Sequence, residues 1–366
     1  MKYNTKLIII LIALSLLIIS CSLYILYVRF KTIRYYKCPE KPHSELLSSV
    51  LYNNRFVRDD KNYNFFMPCG YNFVEDELDE MKVPKSKYIF ALRGCDQIVS
   101  KNNLWDILEK TYGRFAASHI MPESFIIEEK DQYQMAVKKL VEGDVLICKK
   151  NLQRKLGLKL AFNKKDLDEA LKDEFRVAQV FLTDTKMIKE RKMNLRVYFA
   201  AIKKGNKIEF YVNKNGKILY TKEKTTGPIT FESHITSYQM DPDLYEKENI
   251  PHSFKELEKY IGPREYHEIW NKLMKKLVYF SRAVAHVFED DKFRDKVCFQ
   301  LFGLDVILYY DEPYILEVNK GPDMIPKCEK DKELKKNIYE EIFNLVGLTH
   351  KPFLKNNFVK VYTFNF

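Results

Sequence analysis

The segment from Cys298 to Asn319, CFQLFGLDVILYYDEPYILEVN, does most to limit what this chain can fold into. Two strongly apolar runs flank Asp311-Glu312-Pro313, a pattern that predicts a buried strand hairpin. Asp305 interrupts the first run; Glu317 and Asn319 interrupt the second before Gly321-Pro322 ends it. Residues two apart in a strand share a face, so Glu317 and Asn319 project together, and Asp305 on the paired strand can join them. A solvated edge strand would carry such acids at no cost. The apolar neighbours Leu304, Val306, Ile307, Ile315, Leu316 and Val318 argue instead for a central strand, where carboxylates need a neutralising cation. Three hard oxygen donors on one sheet face suit magnesium, whose usual protein site pairs one or two carboxylates with nucleotide phosphates.

A nucleotide also needs cations and a cover. Lys149 ends the apolar strand DVLICK and precedes the loop KNLQRKLG, which would supply an ammonium and mobile donors over phosphates. Lys192 and Arg196 stand four apart in KMNLRVYF, and HITSY, His234 to Tyr238, offers polar side chains from a loop. The remaining chain reads as mixed α+β. Strands are expected at KYIFAL, SFIIEE, FRVAQVFL and LRVYFAAIKK, a hairpin around Asn215-Gly216 in IEFYVNKNGKILYT, and helices at NNLWDILEKTYG, Tyr266–Phe288 and residues 331–345.

Sixty-one Lys and Arg against 50 Asp and Glu leave a formal charge of +11, which favours an acidic partner. No recognition-helix or RNP-like signature is present, so a nucleic acid is not expected. The seven cysteines form no C-x-x-C pair, so neither a disulfide framework nor a zinc site is indicated, and reduced, packed thiols are expected. No N-x-Ser/Thr sequon occurs, in keeping with a body that never enters a secretory compartment.

Leu7 to Val28 carries no charge over 22 residues, about 33 Å as a helix, and is expected to span a membrane. Lys2 and Lys6 precede it while Arg29, Lys31, Arg34 and Lys37 follow, which places the large body in the cytosol. Residues 1–6 would be a tail and 29–45 a tether.

Taken in order, LRGCDQIVSKNNLWDIL with MPESFII, then KMNLRVYF, HITSY and FQLFGLDVIL…YILEVNKGP resemble the motifs of the tubulin tyrosine ligase family of ATP-grasp carboxylate–amine ligases. The resemblance runs from about Tyr88 to Leu348. It implies an ATP-grasp fold: a small N-terminal α/β domain (46–95), a central domain (96–178), a C-terminal domain (179–350) and a terminal strand or tail (351–366). It implies ATP and Mg2+, with Asp305, Glu317 and Asn319 holding the metal. Lys101, Lys149 and Lys192 would reach the nucleotide, Gln179, Phe181 and Leu182 would line its adenine side, and Thr236 would touch the ribose. Arg196, with Lys192 and Asn194, would serve catalysis, Arg196 meeting the terminal phosphate or an acyl-phosphate. The implied reaction joins a free amino acid, tyrosine foremost, to a carboxylate of a protein tail such as the acidic tail of tubulin. A glutamate- or glycine-adding relative, or a catalytically impaired microtubule-binding protein on a membrane, are the alternatives.

Three positions depart from the family pattern. Asn194 stands where an acid is expected, Gly157 alone remains of a glycine-rich lid, and Tyr220 falls where an arginine is expected, with Lys222 the nearest cation.

Overall fold

The computed structural model describes residues 10–22, 32–36, 43–70, 74–80, 86–150, 157–236, 243–349 and 355–366. Its strands, in chain order, are β1 (Ile33–Tyr36), β2 (Phe56–Arg58), β3 (Phe65–Phe66), β4 (Tyr88–Ile89), β5 (Ser124–Ile126), β6 (Leu146–Lys149) and β7 (Leu158–Ala161). There follow β8 (Val177–Val180), β9 (Met187–Ile188), β10 (Arg191–Lys204), β11 (Lys207–Tyr220), β12 (Val297–Tyr309), β13 (Glu312–Asn319) and β14 (Phe358–Asn365). A large sheet runs in the order β14-β11-β10-β12-β4-β3-β1-β2, with β13 paired to β12 and β9 to β10. A four-stranded sheet has the order β5-β8-β6-β7. This mixed α+β arrangement of two sheets is consistent with the expected ATP-grasp architecture.

The long antiparallel strands β10, β11 and β12 form the frame, and strict alternation along β10 assigns its two faces. Val197, Phe199 and Ala201 join a core that includes Ile269, Leu273, Leu277 and Phe280 of the helix Pro263–Val284. Tyr198, Ala200 and Ile202 join a second core with Ile338, Tyr339, Ile342 and Phe343 of the helix Glu329–Leu345. Arg196 has the parity of Tyr198, so it projects on the side covered by that C-terminal helix. A third core, around Phe125, Cys148, Leu167 and Ala178, holds the small sheet against its own helices.

Two turns differ from expectation. The turn placed at Asn215-Gly216 is absent: β11 continues through both residues, with its register to β10 shifting between Val212 and Gly216, and the hairpin turn lies between β10 and β11, at Gly205-Asn206. Gly216 is a glycine for space, since a Cβ there would lie 2.3 Å from Cζ of Phe254, the close approach that strand glycines permit. The β12–β13 turn is formed by Tyr310 and Asp311, one residue earlier than expected. Their φ values of 47° and 58° give the left-handed pair that matches the twist of a tight hairpin.

The membrane-spanning expectation is corrected. Among the described residues no helix is long and apolar enough to cross a membrane. Residues 10–22 of that stretch are helical; residues 7–9 and 23–28 lie outside the described residues. The assignment to a membrane with a cytosolic body falls with it. The stretch expected as a tether contributes β1, which pairs with β2 and β3. One cysteine expectation also changes: Cys69 is disulfide-bonded, whereas Cys21, Cys95, Cys148, Cys298 and Cys328 are free.

Candidate active site

The register of four neighbouring strands lines up one row of charged residues. Lys217 on β11 pairs with Arg196 on β10, Arg196 with Asp305 on β12, and Asp305 with Glu317 on β13. Cross-strand partners face the same way, so at about 4.8 Å per strand the row is roughly 14 Å long, with two cations followed by two anions. Gly303 makes room for it: a Cβ there would meet Cδ of Arg196 at 3.1 Å and Cβ of Pro322 at 2.9 Å.

Arg196 grips Asp305 with two bonds, Nε to Oδ1 at 2.6 Å and Nη2 to Oδ2 at 3.0 Å. Glu317 lies 3.8 Å from Nζ of Lys101, the first residue of the helix Lys101–Tyr112. The amide of Asn319 donates to Glu317 Oε1 and to the carbonyl of Gly303, each at 3.3 Å. Burial, with Glu317 alongside, pushes the Asp305 carboxyl up to about 6 against the pull of Arg196. Burial also opposes the charge of Glu317, but Lys101 and Lys149 outweigh it and hold this carboxyl below its usual range.

Two carboxylates in register, one of them resisting ionisation, are a donor set that a hard divalent cation would satisfy. Asp305 and Glu317, with the carbonyl oxygen of Asn319, fit magnesium. Among the described residues no group of three or more His, Cys, Asp or Glu stands together, so phosphate oxygens and water would have to complete the ion's shell.

The small sheet closes over this row. Lys149, at the end of β6, donates to Oε1 of Gln179 at 2.7 Å and to the carbonyl of Leu316 on β13 at 3.2 Å, tying the two sheets together. Gln179 in turn donates to Ser124 Oγ at 2.9 Å, so its side chain orients the lysine. Lys192 donates to the carbonyl of Leu182 at 2.8 Å and sits 4.3 Å from the Phe181 ring centroid. Burial lowers both lysines to about 8. Asn194 donates to Thr236 Oγ1 at 2.9 Å while its own Oδ1 is buried without a partner. His234, bonded to Ser233 Oγ at 2.7 Å, is held below its usual range by burial and by Lys192.

These groups surround one cleft of about 670 Å³. Lys101, Lys149, Gln179, Phe181, Leu182, Asn194, Arg196, Thr236, Asp305, Glu317 and Asn319 all line it. Lys192, only 1% exposed, stands behind the wall against Phe181 and Leu182. Ile147, Leu158, Val180, Ile307 and Leu316 provide apolar walls that would take a flat base between the sheets. Within the loop expected to cover phosphates, Gly157 accepts from the amide of Lys150 at 2.8 Å; residues 151–156 lie outside the described residues.

Two readings of β11 change. Tyr220 is fully buried and donates to the carbonyl of Pro251, so it does not face the cleft. Leu219 does, and the cation of that strand face is Lys217, not Lys222. Sequence reasoning also missed Lys327 and Lys335, which line the far end of the cleft. Their signal was faint: the i,i+4 pair Asp331 and Lys335 on a charged helix ordinarily marks a solvated face, yet Asp331 is 0% and Lys335 2% exposed.

The model of the tubulin-tyrosine ligase family matches residues 80–356. Curated relatives include a tubulin polyglutamylase, ttll-4, of Caenorhabditis elegans, 23% identical over 280 residues that make up 71% of this chain and 45% of that protein. A protein named probable tubulin polyglutamylase TTLL9, of Bos taurus, is 22% identical over 193 residues, 50% of this chain and 41% of its own length. The tubulin monoglutamylase TTLL4 of Mus musculus is 22% identical over 277 residues, 69% of this chain and 23% of its own. The chain thus spans less than half the length of these relatives.

Proposed function

This chain belongs to the tubulin-tyrosine ligase family, and from that membership we propose that it is an ATP- and magnesium-dependent carboxylate–amine ligase adding glutamate to a carboxylate of an acidic protein tail, with tubulin as acceptor. The observation that carries the reading is the row Arg196, Asp305 and Glu317 lying in register beneath the Lys149–Gln179 clamp. Glutamate replaces the tyrosine first expected, because the relatives named above are glutamate-adding by name. The +11 charge suits an acidic acceptor.

In this reading Lys149 and Lys101 lie against the phosphates, and the apolar walls beside Phe181 hold the base. Asp305, Glu317 and Asn319 would hold magnesium, which would supply positive charge near the transferring phosphate. An oxygen of the acceptor carboxylate attacks the γ-phosphorus, the bond to the β-phosphate oxygen breaks, and ADP leaves. Arg196 would stabilise the equatorial oxygens in that transfer. The amine of the incoming glutamate then attacks the acyl carbon. A C–N bond forms, the C–O bond to phosphate breaks, inorganic phosphate leaves, and the amine proton passes to solvent. No protein nucleophile is needed.

The test is ADP release by the purified chain given ATP, Mg2+, L-glutamate and an acidic tail peptide. Release should require all four and be lost in Glu317→Gln and Asp305→Asn. ADP release that persists in both variants at the wild-type rate sinks the assignment.

A further inference from the structure

Beyond Arg196 the cleft continues to a basic end for which phosphoryl transfer has no use. Lys217 adjoins Arg196 in the cross-strand row. The helix Glu329–Leu345 brings Lys335 up to it, and both ammoniums hold one carboxylate: Lys217 Nζ is 3.2 Å from Asp331 Oδ1, and Lys335 Nζ 2.8 Å from Oδ2. Asp331 also accepts from the amide of Lys327 at 3.0 Å. Burial opposes its charge, but Lys217 and Lys335 outweigh it and keep the carboxyl below its usual range. Asp331 is therefore a buried spacer that fixes two lysines.

Lys217, Lys327 and Lys335 all face the cleft. Asp331 is a single carboxylate shared by the two ammoniums of Lys217 and Lys335, so this trio carries one net positive charge. An uncompensated cation in a largely desolvated pocket is costly unless an anion completes it. Lys217 lies about one strand spacing, roughly 4.8 Å, from Arg196, a separation on the scale of a free amino acid.

We propose that Lys217 and Lys335, held by Asp331, seat a carboxylate of the incoming amino acid, so that its amine points along the row toward Arg196 and the acyl-phosphate. This rests on the ligase reading above. An acidic side chain of the acceptor carries the same chemistry, but Lys335 is only 2% exposed, and that enclosure favours the small molecule.

Isothermal titration of the full chain, with Mg2+ and a non-hydrolysable ATP analogue present, tests this with L-glutamate, glycine and an oligoglutamate peptide. Lys217→Gln is expected to weaken L-glutamate binding by about tenfold or more, the loss of one charge-assisted contact, while the affinity for the analogue stays within about twofold. Lys217→Arg should recover most of the loss. Lys335→Gln strips a buried aspartate of a partner, so it is made together with Asp331→Asn. That double variant should fold and bind L-glutamate as poorly as Lys217→Gln. Glycine weakened alongside glutamate supports the site through the α-carboxylate, and glutamate weakened alone supports it through the side-chain carboxylate. Unchanged L-glutamate affinity in Lys217→Gln overturns the proposal. So does a wild-type chain that binds the analogue but no amino acid, or a variant in which only the peptide is weakened. A wild-type chain that binds no analogue overturns the ligase reading itself, and this proposal with it.

Discussion

Gly216→Ala tests whether β11 is packed as described. The added Cβ would lie 2.3, 2.5 and 2.6 Å from three ring atoms of Phe254, whereas apolar carbons rest about 3.5–4.0 Å apart. The ring must retreat by more than about 1 Å. Phe254 is 2% exposed and starts the helix Phe254–Ile261, so it cannot swing into solvent without losing its own burial. Overpacking of this kind costs about 1–3 kcal/mol, bounded above by the roughly 3–5 kcal/mol of deleting a buried phenylalanine. Urea unfolding of the purified chain, read by fluorescence and circular dichroism, measures the loss. The companion variant Phe254→Leu removes the three clashing ring atoms. It should cost stability in the wild-type background yet restore part of the deficit in Gly216→Ala, giving a favourable coupling in a double-mutant cycle. A Gly216→Ala protein within about 0.5 kcal/mol of wild type, or additive losses, would refute this reason for the glycine and return Asn215-Gly216 to a turn.

Arg196→Met leaves Asp305, 9% exposed, facing Glu317 without its guanidinium. Urea unfolding in chelator should show a loss of about 3–5 kcal/mol, partly recovered on adding Mg2+. Gly303→Ala should displace the Arg196 side chain and reduce nucleotide affinity more than stability, read by titration and urea unfolding on the same sample. Lys149, which lines the cleft, has its pKa lowered to about 8 by burial, and only its charged form attracts phosphate. Affinity for an ATP analogue should therefore be full below about pH 8 and decline as pH rises above it, by up to about tenfold per unit. Calorimetry should find that decline shallower in Lys149→Met.

The hairpin that carries Asp305 and Glu317 was legible because its signal is local: apolar runs with acids at even spacing fix which side chains share a face. That Asp305 sits opposite Glu317 depends on register: the short turn at Tyr310-Asp311 pairs Val306 with Ile315, and a bulge at Leu316 then shifts the register so that Asp305 meets Glu317. Gly216 shows the opposite case. Asn-Gly between apolar runs is the strongest short-range hairpin signal, yet here it closes a shift in the β10–β11 register, with Gly216 against the distant ring of Phe254, absent from any local window. Lys217 and Lys335 were missed for the same reason, since they meet through Asp331 across 114 residues of sequence. The shift from Tyr220 to Leu219 is a slip of one residue, which in a strand exchanges the two faces completely.

The measurement closest to the centre of this reading is mass spectrometry of tubulin after incubation with the purified chain, ATP, Mg2+ and equal concentrations of glutamate, glycine and tyrosine. Tail peptides heavier by one or more glutamates, and unmodified when Glu317→Gln replaces the wild-type chain, are expected. Peptides carrying tyrosine or glycine instead, or glutamate added equally well by Glu317→Gln, would contradict it.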